Sequence, residues 1–403
     1  MRINLLESLA DNIVIDKDKC TFCGECVERC ILDNLRMKLA PCRQACPLGV
    51  NCHGYIQSIA RGEEQEGMKL LRETLPFPGI LGRICSQPCE EQCYRKNVDG
   101  DAVAIRYLKR YLFDELDDSE TEIPEVAEGS GKSVAVIGSG PAGLMAAFDL
   151  RRQGHAVTVF DSQKEPGGML RWAIPEFRLP GEVLKKELDM LKKMGIEFQC
   201  GITIGKDKGI DELKTDFNAI IIATGCPNYL MLNKGDEKLE GVYHGLPFLR
   251  DVRNGTVPEV GKKTIVIGGG NVAVDAAQTA LRVGAEEVTM VCLESDSEVP
   301  AFRWAIESAL SEGVKMECSW GPLTFSSKNE AVSGVEFQRC LQVYDSCGAF
   351  QPLYDSCELL PLEADTVIIA IGQVPDNALL EKAGFKTGDI DSLTLQSSDE
   401  MIF

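Results

Sequence analysis

The chain has 403 residues and a formal net charge of −20, long enough for about three ordinary domains. So acidic a surface excludes nucleic acid and anionic membrane as partners, because neither attracts it. No apolar run approaches the ~20 residues that cross a bilayer, and Glu7 and Asp11 interrupt the opening segment, so neither membrane insertion nor a secretory signal is expected; the expectation is a cytoplasmic protein. Ten of the seventeen cysteines fall between Cys20 and Cys93, and in a reducing compartment such clustering points to metal rather than to disulfides. The three histidines stand far apart, which argues against a histidine-rich site.

Residues 1–37 contain CTFCGECVERC, with Cys20, Cys23, Cys26 and Cys30 at x2, x2, x3 spacing. Three closely spaced thiolates on a tight loop reach three corners of one [4Fe–4S] cubane, and the fourth cysteine of such a run often serves another cluster. Zinc stays open as the alternative, although zinc sites usually pair two Cys-x-x-Cys knuckles. A second group lies in residues 38–125: Cys42 and Cys46 in PCRQACP, then Cys52, then Cys85, Cys89 and Cys93 in GRICSQPCEEQC. Between them Tyr55 to Leu75 has helical spacing until Pro76 and Pro78, which predicts one helix and a hairpin that joins the two cysteine loops. A helix from Ala102 to Glu115 and the acidic linker DDSETEIPEVAEG complete this part.

Val134 to Ile137 reads as a buried parallel strand. Gly138, Gly140 and Gly143 come next at G-x-G-x-x-G spacing, with Pro141 and Ala142 opening a helix, and a second apolar run ends on Asp161. The first glycine permits a tight turn, the second lets backbone approach a pyrophosphate, the third packs helix on strand, and the terminal acid meets ribose hydroxyls. The helix start supplies N–H groups and a positive dipole end to the phosphates. Residues 264–294 repeat the pattern: a strand to Ile267, then Gly268, Gly270, Asn271 and Ala273, a helix to Val283, and a strand ending before Glu294. Two fingerprints mean two nucleotide-binding domains, for which a flavin and a nicotinamide are the natural pair. Between the two lies a buried strand that ends in Ala223-Thr224-Gly225, and Asp365 to Ile371 with Gly372 after it reads as the return.

PCRQACP, a helix, LPFPGILGRICSQPCEEQCYR and the first fingerprint together resemble the glutamate synthase small-subunit family, which includes the amino-terminal half of dihydropyrimidine dehydrogenase and the large subunit of NADH-dependent ferredoxin:NADP oxidoreductase. The likeness runs from about residue 40 to the C-terminus. It implies an FAD, a nicotinamide nucleotide site and [4Fe–4S] clusters. It also makes EPGGMLRWAIPEFRLP, with Gly167, Gly168, Met169, Leu170 and Arg178, the flavin-contacting loop. Where dihydropyrimidine dehydrogenase-like members carry two further cysteines this chain has Asn34 and Met37, and a glutamine ligand falls near Lys109. The resemblance therefore leaves Cys52 and the Cys20–Cys30 run to complete the ligand set. One cluster is expected on Cys46, Cys85 and Cys89 with Cys52, another on Cys42 and Cys93 with members of the amino-terminal run, giving two or three clusters. Family members continue past SSDEMIF into a Gly-Asp motif that binds the flavin ribityl chain; the chain stops at Phe403, so the flavin half is expected to be incomplete there, completed by another chain, or altered.

The resulting expectation is an α/β protein: two Rossmann-like nucleotide-binding domains preceded by a helical [4Fe–4S] domain (38–125) and a short ferredoxin-like segment (1–37). The FAD-binding domain takes 131–230 and 371–403, and the NAD(P)-binding domain takes 231–370. The resemblance implies an oxidoreductase subunit in which nicotinamide passes hydride to flavin and the clusters relay single electrons to other redox subunits or to ferredoxin. Cofactors carry that chemistry, so no catalytic acid or base is assigned. Alternatives are a glutamate synthase small subunit and a non-catalytic iron–sulfur relay subunit. Glu294, with Ser295 and Asp296 after it, can accept hydrogen bonds from both hydroxyls of an adenosine ribose and repels a 2′-phosphate. NAD(H) is therefore favoured over NADP(H), with Arg303 the nearest cation.

Overall fold

The computed structural model describes residues 40–116, 123–232, 238–382, 384, 390 and 395–403. The expected ferredoxin-like segment, with Cys20, Cys23, Cys26 and Cys30, lies outside the described residues. The chain divides into two units, 1–122 and 123–403.

In the first unit, α1 (Pro41–Ala45), α2 (Cys52–Arg61), α3 (Glu64–Arg72), α4 (Pro78–Ile84), α5 (Pro88–Glu91) and α6 (Ile105–Glu115) pack as a small helical domain. The single helix expected from Tyr55 to Leu75 is two helices. Gly62 takes the left-handed conformation (φ 73°) and donates to the Ile59 and Ser58 carbonyls, ending α2, a termination that glycine allows without steric cost. Helical periodicity does not report the break because each helix buries a stripe of its own, Cys52, Tyr55 and Ser58 in α2 and Gly67, Met68 and Leu71 in α3. Bare glycines let α4 approach α6 closely: a Cβ at Gly82 would stand 2.9 Å from the Arg110 Cα, and one at Gly79 would strike the Phe113 ring. The buried Tyr55 hydroxyl donates to the Ile105 carbonyl (2.9 Å) and ties α2 to the start of α6.

The second unit opens with β1 (Ser133–Ile137), α7 (Pro141–Arg152), β2 (Ala156–Asp161), α8 (Gly181–Lys193), β3 (Glu197–Cys200) and β4 (Ala219–Ile222). The strands form a parallel sheet in the order β3-β2-β1-β4. The SSDEMIF segment extends it, since Ile220 donates to Met401 (2.7 Å) and Phe403 donates to Ile220 (3.0 Å). The chain then leaves through β5 (Asn228–Tyr229) and builds a second parallel sheet from β6 (Val242–His244), α9 (Gly245–Arg253), β7 (Lys263–Ile267), α10 (Asn271–Arg282), β8 (Glu287–Cys292), α11 (Arg303–Ser311) and β9 (Lys315–Cys318).

Strands β10 (Trp320–Lys328), β11 (Ala331–Tyr344) and β12 (Phe350–Glu363) form an antiparallel sheet that the sequence pattern does not predict. Phe325, Val335 and Phe337 of this sheet pack on Ile265, Ile267, Val291 and Val367, so it covers one face of the second parallel sheet while α9, α10 and α11 cover the other. A parallel sheet needs both faces covered. The chain returns through β13 (Thr366–Ile369), inserted between β6 and β7, and β14 (Gln373–Val374), which pairs antiparallel with β5.

Ile402 is 1 % exposed and packs among Ile137, Phe160 and Ile220. Ile402→Ala is expected to cost about 2–4 kcal/mol, read as a lowered urea midpoint with an unchanged slope. A hydrogen bond from Lys214, then one from the Met401 amide, holds the Asp399 carboxyl below its ordinary 3.8. A depressed carboxylate contributes stability above its unfolded value, so the fastening by Asp399 is lost as the pH falls below about 4.

Candidate functional site: two glycine cradles and a thiol cluster

At the carboxyl end of β1, Gly138 turns with φ 107°, and a Cβ there would lie 2.3 Å from the Ala223 carbonyl oxygen. A Cβ at Gly143 would lie 1.9 Å from the Gly138 oxygen. Gly140, at the N-cap of α7, is different: its missing Cβ meets nothing within 4 Å. Its bareness therefore keeps open space in front of a helix N-terminus, the arrangement that receives phosphate oxygens. That space is a cleft of about 400 Å³, lined by Gly138, Gly140, Pro141, Ala142, Asp161, Gly168, Met169, Thr224 and Gly225 among others.

Asp161 ends β2 at the wall of this cleft. Its Oδ2 accepts the Ser139 amide (2.8 Å) and the Ser139 hydroxyl, and Oδ1 accepts the Gln163 amide (2.8 Å). Ser139 Oγ in turn accepts the Gly167 amide (3.0 Å). The serine, fully buried, thereby welds the glycine turn, the acid and the 165–170 loop together. Sequence reading missed Ser139; the available signal was a hydroxyl in the fingerprint with a carboxylate at the next strand end. Gly143, Gly167 and Leu170 pack behind the cleft rather than lining it. Gly167 stands against Leu184, and Leu170 is buried. Arg178 is not among the lining residues; its guanidinium pairs with Asp275 of α10 (2.5 Å). Gly372 (φ 140°) packs on Leu230, whose amide donates to it (3.1 Å), at the return crossover.

The second cradle repeats the first. Gly268 turns with φ 140° and presses on the Ala370 carbonyl, where a Cβ would stand 2.3 Å away. Gly270 faces open space at the N-cap of α10. Ala273 is buried. The Asn271 side chain accepts the Phe302 amide (3.1 Å), and Ala301 donates to Gly269 (3.0 Å), so PAFRW is laced to the glycine loop. Glu294 reaches this loop: its Oε2 stands 3.0 Å from the place a Cβ at Gly269 would occupy. The loop after β8 also folds back on Arg303, whose Nη1 lies 3.7 Å from Asp296 while Nε donates to Glu307 (3.1 Å). The cation is near, and two carboxylates already engage it.

In the helical unit α1 packs on α5, and Cys42 and Cys89 both come within hydrogen-bond reach of the buried Cys52. A hydrogen bond from the Cys52 thiol holds Cys42 at about 6 and likewise lowers Cys89, while Cys52, between two sulfurs and buried, is pushed up. Lys109 adds a buried positive charge beside Cys89. Cys42, Cys52 and Cys89 thus stand together, although the sequence separates Cys42 from the other two. Helix packing, which spacing does not report, makes the difference. Cys46, Cys85 and Cys93 are half-buried, and Cys85 Sγ accepts the Gln87 amide (3.5 Å). Among the described residues no three Cys, His, Asp or Glu side chains converge on a single ion. An all-thiol set spread over several turns fits a polynuclear cluster, whose ligands stand apart around its core.

Two family models cover these features: pyridine nucleotide-disulphide oxidoreductase over residues 132–403, and dihydropyrimidine dehydrogenase domain II, 4Fe-4S cluster, over residues 10–121. The glutamate synthase [NADPH] small chain of Mycobacterium tuberculosis is 32% identical over 368 residues, 86% of this chain and 75% of that one. The chain belongs to the glutamate synthase small-chain family of pyridine nucleotide-disulphide oxidoreductases. Other relatives are NADPH-Fe(3+) oxidoreductase subunit beta of Geobacter sulfurreducens (37% identity, 84% of this chain, 51% of that one) and NADP(+)-dependent formate dehydrogenase subunit beta of Moorella thermoacetica (34%, 90% and 56%). The chain spans about half the length of these two. M. tuberculosis FprA in complex with NADPH shares the fold at a TM-score of 0.53 and 18% identity, over 61% of this chain and 72% of that one. Among the described residues no helix is long and apolar enough to cross a membrane.

The two cradle glycines separate packing from access. Gly143→Ala drives a methyl into the Gly138 carbonyl and is expected to cost about 3 kcal/mol or more. Gly140→Ala should leave the melting temperature within about 2 °C of the parent, since a change of 1 kcal/mol moves it only a few degrees. A thermal melt of both variants checks this.

Proposed function

We propose that this chain is an NAD(P)H-dependent flavin and iron–sulfur oxidoreductase subunit that exchanges electrons with partner subunits or ferredoxin. The observation that carries the reading is the repeated cradle: two strand–glycine–helix turns in one unit, each with a bare glycine opening onto free space and an acid beside it. We assign FAD to the first (residues 131–230 and 371–403) and the nicotinamide nucleotide to the second (231–370). The helical part (38–125) and the ferredoxin-like segment (1–37) take at least two [4Fe–4S] clusters.

FAD held by the residues of the first cradle would supply hydride acceptance and single-electron release, the chemistry that links a two-electron nicotinamide to one-electron clusters. The chain's residues bind and orient. The α7 and α10 N-termini would offer amides to pyrophosphate, and Asp161 and Glu294 would hold the adenosine riboses. Met169, Trp172 and Thr224 wall the first cleft against water. Cys42, Cys52 and Cys89 supply sulfur ligands, which bind iron only as thiolates, so ligation would displace the proton that Cys52 now shares with its neighbours.

Nucleotide choice rests on the end of β8. The loop carries Glu294, Asp296 and Glu298 and is followed by a single arginine, which Asp296 and Glu307 engage. A 2′-phosphate brings close to two more negative charges, so we infer a preference for NADH, unlike the NADPH named in several relatives. Anaerobic reduction of the bound flavin should proceed faster with NADH. Glu294→Arg should shift the ratio toward NADPH by at least about tenfold, the 1.4 kcal/mol of one modest ionic contact. A parent enzyme that prefers NADPH overturns the assignment. Gly140→Val should fold and purify without flavin; full flavin content in that variant overturns the first cradle. Anaerobically purified protein should hold about eight or more iron atoms per chain, enough for two cubanes, and four or fewer would remove the second cluster.

A further inference from the structure

Six contacts converge on residues 171–179, and every partner comes from the second nucleotide-binding half. Arg253 Nε donates to the Arg171 carbonyl (2.7 Å) and Nη2 to the Leu179 carbonyl (3.0 Å), while Nη1 pairs with Glu176. Arg178 Nη1 donates to Asp275 Oδ1 (2.5 Å). The Arg178 guanidinium also lies 5.3 Å from the Trp304 ring centre, and Arg282 stacks 3.8 Å above the Phe177 ring. The Arg178 and Asp275 side chains are 13 and 8 % exposed, so water screens this pair little; Arg253 is buried at 9 %, and its carbonyl bonds rather than the exposed Glu176 hold it there. Burial pushes the Asp275 carboxyl up and Arg178 draws it back down.

The same segment touches both cradles. Its approach, Gly168, Met169 and Trp172, lines the first cleft. Its end holds Asp275, one turn beyond Asn271 at the start of α10. The covalent joint between the halves is thin by comparison: β5 and β14 pair over only two residues each. A ribbon that short is marginal alone.

Resting on the functional reading of the two cradles, we propose that segment 171–179 is a clasp that sets the orientation of the two nucleotide-binding halves. Arg178, Asp275 and Arg253 are its positioning residues for transfer between the two nucleotides. Transfer needs reacting atoms within about 3–3.5 Å, and a misplacement of about 1 Å can cost 100-fold. A joint of two residue pairs does not hold that tolerance; a buried ion pair with carbonyl clamps does.

The test uses the full-length holoprotein. The double variant Arg178→Met/Asp275→Leu removes both charges together, so neither is left buried alone, the condition under which such replacements preserve stability. Its flavin reduction at saturating nucleotide should fall by about tenfold or more, with the nucleotide Kd changed less than about threefold, because orientation and not binding is lost. Hydrogen–deuterium exchange should rise at β5 and β14. Arg178→Lys, which keeps a charge on Asp275, should recover most of the rate, and it carries the test if the double variant does not fold. A double variant with parental rate and parental exchange overturns the clasp. So does an equal loss in rate and affinity. If the parent protein shows no flavin reduction by either nucleotide, the functional reading fails, and exchange at β5 and β14 still decides the clasp.

Discussion

Two backbone contacts support the nucleotide-binding unit. At the end of β1 and again at the end of β7, a glycine in the positive-φ region lies against the carbonyl just past the neighbouring parallel strand, Ala223 in one case and Ala370 in the other. A side chain in either place would collide with that oxygen. Only this closeness turns the chain sharply enough to aim a helix N-terminus at the crevice beyond the strand ends, the place where open α/β sheets bind ligands. The repeated contact explains why both cradles share a geometry although their outer walls differ. The first is closed by the 165–172 loop, the second by PAFRW.

Electrostatics divides the chain in the same sense. Residues 40–116 contain ten Lys and Arg and ten Asp and Glu, so the acidic excess lies elsewhere. Thiolates gathered around a cluster are anionic, and a strongly acidic shell would favour their protonated form. A stretch from 40 to 116 without net charge, with Lys109 buried beside Cys89, meets that requirement. At the end of β8 the balance reverses. Carboxylates outnumber the single arginine there.

How much was legible depends on what each signal reports. Gly138, Gly140, Gly143 and Asp161, and their counterparts Gly268, Gly270, Ala273 and Glu294, lie where the spacing puts them, because the cradle is local: strand, turn and helix within thirty residues. The same locality hid the break at Gly62, since two short helices each bury a stripe at the same 3.6-residue period and only a turn separates them. The antiparallel sheet from Trp320 to Glu363 was missed because its role is to cover a face made by distant strands. Ser139 went unremarked because its importance lies in a carboxylate more than twenty residues away.

The amino-acid sequence by itself determined the chemistry available to the chain: bare backbone at two strand ends, an acid after each second strand, and thiols concentrated at one end. Residue type and short spacing are enough for that, since each such element closes on itself. Only the tertiary structure decided which groups meet. It joined Cys42 with Cys52 and Cys89, brought Arg303 back to Asp296, and gave Arg178 to Asp275 instead of to the first cleft. Those choices come from helix packing and the stacking of two sheets, in which residues up to a hundred positions apart share one buried space and the lowest-cost pairing of their charges and sulfurs is settled by that space, not by their order in the chain.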